Sequence, residues 1–250
     1  MIFGTDIILT DKGVLSFTKG IISPGESEIR RLKDALPVYY YRENPTEDPI
    51  ENPLYYRYKN ICFQQDEEIF KEYNLRYDIT VLFPGKIGKE YIKTAGHFHP
   101  LKNTGKETYS EYCEVLTGEA IFLLQKNGRN NEVEEIIAIE AKAGDKVYIP
   151  PNYGHITINP GDSFLVVASL AATIIDSSPE PFVVKSGAAY FYVETENGKV
   201  DWIKNPEYKN SVGLKIKAAP NIEHPLSDVS EKTIYKAFVD NPQSFAMLHQ

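Results

Sequence analysis

From Tyr77 to about Ile175 the apolar residues fall in short runs of strand length, each closed by a turn residue. DITVLF, EYIKTAGHFH, EYCEVL, EAIFLLQ, VEEIIAIE, KVYIP, HITIN and SFLVVASL are separated by Gly85, Gly118, Asn127-Gly128, Gly144 and Pro160-Gly161. Many short strands at regular spacing predict an all-β sandwich or barrel and not βαβ units. A further hairpin is predicted in YFYVETENGKVDWI, where Asn197-Gly198 supplies the positive φ angles of a tight turn. On the N-terminal side, Ser23-Pro24-Gly25-Glu26 reads as a helix start: Ser as N-cap, Pro at the first helical position, Glu three residues after the cap. Ile29, Leu32 and Leu36 continue that helix until Pro37 stops it. Residues 43–53, ENPTEDPIENP, hold three prolines and four acidic side chains and predict a solvated connection. Near the C-terminus, Val229–Val239 places Ile234, Tyr235 and Phe238 at helical spacing before Asn241-Pro242 breaks the run. The expected architecture is therefore an all-β core over about residues 77–175, an N-terminal strand/helix arm before it, and a helical tail.

Composition narrows the function classes. The 250 residues are 42% hydrophobic and 25% charged, ordinary for a soluble globular chain. A net charge of −8 argues against nucleic-acid binding and against docking on anionic lipid, both of which need a basic surface. The longest apolar run, Phe164 to Ile175, is shorter than the roughly 20 residues that span a bilayer and carries Ser169 and Thr173. The opening MIFGTDIILTDKG has no basic stretch followed by an apolar core, and Cys62 and Cys113 cannot build a disulfide framework. A cytoplasmic protein is expected.

Three of the five histidines lie inside the β-rich block. His97 and His99 are two apart, so on a strand both side chains leave the same face. Glu111 opens another strand, and His155 lies on a third. Neutral imidazoles with one carboxylate suit a borderline divalent ion: Zn, Fe, Mn, Ni or Co. A bare His-x-His pair is more often a surface or hydrogen-bonded pair, and it is the flanking residues that change this reading. Gly96-His97-Phe98-His99, then Glu111, then six residues and Gly118 resembles the first cupin motif, with a longer spacer before the glutamate. Gly144, Pro150, His155 and Asn159 resemble the second. Asn152 replaces one glycine of that motif, and Asn is the other residue that best tolerates the left-handed region.

ITVLFPGKIGKEYIKTAGHFH, together with Pro150-Pro151 and Asn159, resembles the archaeal-type cupin phosphoglucose isomerases, and weaker similarity runs from Arg30-Arg31-Leu32 to NPEYK at 205–209. The resemblance implies a cupin jelly-roll domain over residues 1–210, with 211–250 as an extension. It implies an enzyme that interconverts glucose 6-phosphate and fructose 6-phosphate, using one divalent ion per subunit on His97, His99, Glu111 and His155. It also implies a hexose phosphate substrate and a homodimer. Carried over position by position, Thr80, Thr94 and Gly96 would line the sugar-phosphate pocket and Tyr56 its mouth. Glu111 would be the catalytic base as well as a ligand, with a metal-assisted hydride shift as the competing account. Two family tyrosines are replaced, by Cys113 and Leu170, which implies fewer polar contacts with substrate. Another cupin sugar isomerase or epimerase, an Fe(II) oxygenase, and a non-catalytic sugar- or metal-binding cupin are the alternatives that these replacements keep open.

Overall fold

The short apolar runs pair as strands. In the computed structural model residues 6–22, 27–40, 50–128, 132–175, 178–209, 212–220 and 232–249 are described. The N-terminal arm holds β1 (Ile7–Leu9), β2 (Leu15–Phe17), β3 (Ile21–Ile22), β4 (Glu28–Arg31), a one-turn α1 (Leu32–Ala35), β5 (Pro53–Tyr58), β6 (Cys62–Phe63) and α2 (Glu67–Glu72). The central block follows with β7 (Leu75–Leu82), β8 (Lys86–Ile87), β9 (Glu90–Tyr91), β10 (Glu111–Thr117), β11 (Glu119–Asn127), β12 (Val133–Lys142), β13 (Lys146–Ile149), β14 (Tyr153–Ile158) and β15 (Leu165–Ala172). After it come α3 (Glu180–Val184), the hairpin β16 (Tyr190–Glu194) and β17 (Val200–Lys204), β18 (Lys215–Ala218), α4 (Ile234–Asp240) and a 3-10 helix over Pro242–Leu248.

Two sheets carry the domain. One runs β13-β10-β15-β7-β5-β4 and the other β14-β11-β12-β18. Val115 and Val167 of the first share a buried cluster with Leu123, Ile139 and Ile156 of the second, so the two sheets face each other across one core. This is the jelly-roll arrangement, built from two facing sheets. The first sheet is covered on its other face as well, where Tyr77, Ile79, Tyr112, Val166, Ala168 and Leu170 pack with Ile234, Tyr235, Phe238, Phe245 and Leu248. Burial on both faces explains why β10 and β15 read as nearly unbroken apolar runs where one solvated face would give alternation.

Three expectations need correction or limits. The helix start at Ser23–Glu26 lies outside the described residues, and Glu28–Arg31 is a strand where the periodicity predicts helix. Ile29 pairs with Tyr56 and Arg30 with Tyr55, and these ladder bonds outweigh a weak local propensity. EYIKTAGHFH is a strand only at Glu90–Tyr91. Beyond Tyr91 it continues as single bridges, Lys93 to Ile158 and His97 to His155. The C-terminal helix begins at Ile234, where Thr233 caps it by accepting the Lys236 N–H at 3.2 Å, and Pro242 starts the 3-10 turn that follows. No helix among the described residues is long and apolar enough to cross a membrane.

Candidate metal centre

His97 and His155 are brought together by main-chain hydrogen bonds. The N–H of His97 donates to the His155 carbonyl at 3.2 Å and the N–H of His155 returns the bond at 3.0 Å. The approach is close enough to require glycine on both sides. Gly96 has φ +77°, and a Cβ there would lie 2.4 Å from Ile156 Cγ1; a Cβ on Gly154 would lie 2.3 Å from the Phe98 ring. Because Gly96 bends the chain out of extended geometry, the long strand predicted for this segment breaks up.

The donor atoms of His97, His99, Glu111 and His155 all lie within 4.8 Å of one another. Nε2 of His99 is 3.0 Å from Glu111 Oε2 and Nε2 of His155 is 3.6 Å from the same oxygen. Nε2 of His99 nevertheless makes no hydrogen bond, and neither does the buried Nδ1 of His155. Buried polar atoms are rarely left unpaired, and imidazole nitrogens gathered around a carboxylate are what a cation would satisfy. Nδ1 of His99 is taken by the Tyr109 carbonyl at 3.0 Å, which puts the N–H there and leaves the Nε2 lone pair facing the cluster. Burial, and then the neighbouring imidazoles, hold His97 well below the ordinary histidine value. Burial also pushes His155 down to about 4. Burial alone would raise Glu111; a proton taken up by the His99 ring or by either of the other two imidazoles faces the carboxylate and holds it well below the usual carboxylate range. The resting state is thus two neutral imidazoles and a carboxylate with His99 turned to join them, a donor set that fits a borderline divalent ion.

The loops around the donors are locked. Asn152 stands at φ +69°, and its side chain accepts the Thr108 N–H at 3.1 Å while its own N–H donates to Thr108 Oγ1 at 2.6 Å. Asn159, buried, donates to the carbonyls of Phe83 at 3.0 Å and Ser163 at 2.9 Å and accepts from Gly161 N–H. The long spacer between His99 and Glu111 is a surface hairpin: Leu101 bridges Thr108, the Lys102 N–H donates to Glu107 O at 2.8 Å, and 103–107 are exposed.

A cavity of about 190 Å³ opens onto the donors. Thr80, Thr94 and Gly96 line it with His97, Glu111 and His155. So does Cys113, whose Sγ lies 3.8 Å from Glu111 Oε1; burial pushes its thiol well above the ordinary value, so it stays protonated. Tyr56 is not among the lining residues. Its ring packs edge-on against Phe83 at 5.2 Å, while Tyr55 and Arg57, one step either way along β5, line the cavity. Leu170 is likewise turned away, fully buried under the C-terminal tail, and Ser169 faces the cavity instead. Of the two replaced tyrosines, Cys113 alone faces the site. Sequence reasoning missed Arg30, Arg57, Thr157 and Ser169, all of which line the cavity. Arg57 is held by Asp78 Oδ2 at 3.0 Å, and Asp78 also accepts from Arg76 Nε and Asn60 N–H, each at 3.0 Å.

Residues 29–210 match the family described as Glucose-6-phosphate isomerase (GPI). A glucose-6-phosphate isomerase from Pyrococcus horikoshii is 32% identical over 198 residues, which span 78% of this chain and 95% of the relative. One from Pyrococcus furiosus is 32% identical over 197 residues with the same coverage. Among solved structures, Bacillus subtilis oxalate decarboxylase covers 49% of this chain and 26% of its own at 20% identity and a TM-score of 0.33, too loose a likeness to bear on the site. With a family match over residues 29–210 that includes all four clustered donors, this chain belongs to the glucose-6-phosphate isomerase family.

Proposed function

We propose that this protein is a metal-dependent aldose–ketose isomerase interconverting glucose 6-phosphate and fructose 6-phosphate. The observation that carries the reading is the opening of a four-donor cluster onto a cavity that also holds two arginines and several hydroxyls. A divalent ion on His97, His99, Glu111 and His155 supplies Lewis acidity, which stabilises negative charge developing on the substrate oxygens. Isomerisation also has to move a hydrogen between C1 and C2. Glu111 divides its two oxygens for this: Oε2 faces the histidines, and Oε1 lies on the Cys113 side, where it accepts a proton from one carbon and returns it to the other. Thr80, Thr94, Thr157 and Ser169 offer hydroxyls to the sugar, although the Thr94 hydroxyl already accepts the Thr157 N–H at 3.0 Å.

Arg57 is the partly buried cation of the cavity, and we assign it the phosphate, with Arg30 at the exposed mouth. Arg57→Gln is expected to raise KM for fructose 6-phosphate about tenfold to a hundredfold, the worth of a hydrogen bond to a charged group, with little change for unphosphorylated fructose. Asp78 keeps Arg76 and Asn60 as donors, so the fold survives the change. Equal loss on both sugars would place the phosphate elsewhere. In the wild type, a coupled assay that finds no glucose 6-phosphate formed from fructose 6-phosphate, while a thermal shift shows the sugar bound, would favour the non-catalytic reading.

A homodimer is the assembly we propose. Strand β4 ends the larger sheet and leaves one row of its main-chain groups without a strand partner among the described residues, with Ile29 exposed beside them. Light scattering at micromolar concentration is expected to give twice the chain mass of 28.3 kDa; a monomer there refutes it.

A further inference from the structure

Strand β10 carries two sets of side chains with different neighbours. Glu111 and Cys113 point into the cavity. Tyr112 and Glu114, with Ser110 just before the strand, point to the other face, and each of the three ends on the C-terminal tail. Ser110 Oγ donates to the Met247 carbonyl at 3.5 Å, the Tyr112 ring meets Phe245 edge-on at 5.8 Å, and Glu114 Oε2 accepts the Ile234 N–H at 2.8 Å. A fourth tie comes from the spacer hairpin, where Lys102 Nζ donates to the same Met247 carbonyl at 3.4 Å. Both the hairpin and Ser110 adjoin Tyr109, whose carbonyl fixes the His99 ring. The tail side chains that make this seat are buried: Ile234, Phe238 and Leu248 are fully covered and Phe245 nearly so. Residues 211–250 lie beyond the family match, and 78% of this chain already spans 95% of the P. horikoshii relative. The tail is therefore an addition to the shared domain.

We infer that the tail is a positioning element for the metal centre: it clamps β10 and the segment before it from behind, and so sets how tightly Glu111 and His99 hold the ion. The physical reason is that a ligand's affinity depends on how firmly the groups behind it fix its rotamer and its main chain. The inference rests on the metal site proposed above.

Co(II) titration of the full-length apo-protein, followed through its visible absorption bands, tests it. Wild type is expected to bind one Co(II) per chain. Phe245→Ala is expected to weaken that binding about tenfold and to shift the bands, as losses behind a ligand do in metal sites. Phe245→Leu, which refills the seat, is expected to stay within about twofold of wild type. Ile121→Ala, buried on β11 in the other core cluster and away from both the cavity and the tail, lowers the thermal midpoint without moving Co(II) affinity. A Phe245→Ala protein that behaves like Ile121→Ala, less stable but with unchanged affinity and bands, overturns the inference. Should Phe245→Ala not fold, Ser110→Ala carries the test: about threefold weaker binding supports the clamp, and unchanged binding overturns it. A wild type that takes up no Co(II) overturns the metal site and this inference together, whereas a wild type that binds and variants that bind equally well overturn only the clamp.

Discussion

His155→Ala is expected to leave the protein folded, without its metal, and with turnover on fructose 6-phosphate down by roughly a thousandfold or more, which corresponds to several kcal/mol of lost charge stabilisation. The fold survives because the ties between His155 and His97 are main-chain hydrogen bonds, which an alanine keeps. The pairing of residue 155 with Leu124 on β11 is also unaffected. In the metal-free state the variant is expected to be no less stable than wild type. The side chain it removes includes a buried Nδ1 with no partner, and an unsatisfied buried polar atom costs roughly 1–3 kcal/mol. Elemental analysis after gel filtration, beside a thermal melt in chelator, checks both halves. Stoichiometric metal in the variant would remove His155 from the ligand set.

Glu111→Gln separates the two roles given to one side chain. The amide oxygen can still face the cation, so part of the metal is expected to remain, at lower affinity because a formal charge is gone. What the amide cannot do is accept and return a proton. Turnover is therefore expected to fall about a hundredfold to ten-thousandfold, the usual range for losing a positioned general base. The isotope experiment belongs with it. In heavy water the wild-type product should carry solvent deuterium at the carbon that Glu111 reprotonates, which a direct hydride shift between the carbons would not produce. Solvent label in the product excludes the hydride shift, and a metal-loaded Glu111→Gln protein with near wild-type turnover would take the base role away from Glu111 and leave it a ligand.

The donors were legible because the motif residues around them do visible work. Gly96 and Gly154 permit a main-chain approach that no side chain would allow, Asn152 takes the left-handed turn before His155, and Asn159 ties its own loop to the turn after β7. Each of these needs a particular residue type, so each leaves a trace in the sequence. Parity on the strands was not legible. In a strand covered on both faces, apolar residues occupy both sides, and nothing in YYRY or SLAA says which alternate set meets the cavity. That ambiguity put Tyr56 at the mouth, where Arg57 lines the cavity, and counted Leu170 as a lost substrate contact, although its neighbour Ser169 is the residue that faces the cavity. The segment at 28–31 failed for another reason: its partner, β5, lies more than twenty residues away, beyond the reach of any local periodicity. The C-terminal helix was legible from its apolar spacing. Its seat against β10 was not, since the same apolar stripe would suit any apolar surface.

The hairpin between His99 and Glu111 has a practical consequence. Its two ends are pinned, at His99 by the Tyr109 carbonyl and at Thr108 by Asn152, while the turn between them, residues 103–107, is exposed to solvent. Lengthening a loop whose ends are already fixed costs little, about 0.6 kcal/mol for each doubling. The chain can therefore be extended at this turn, by drift or by design, while the spacing of the four donors stays put. A peptide graft or an environment-sensitive dye placed there would sit beside the metal centre without entering it.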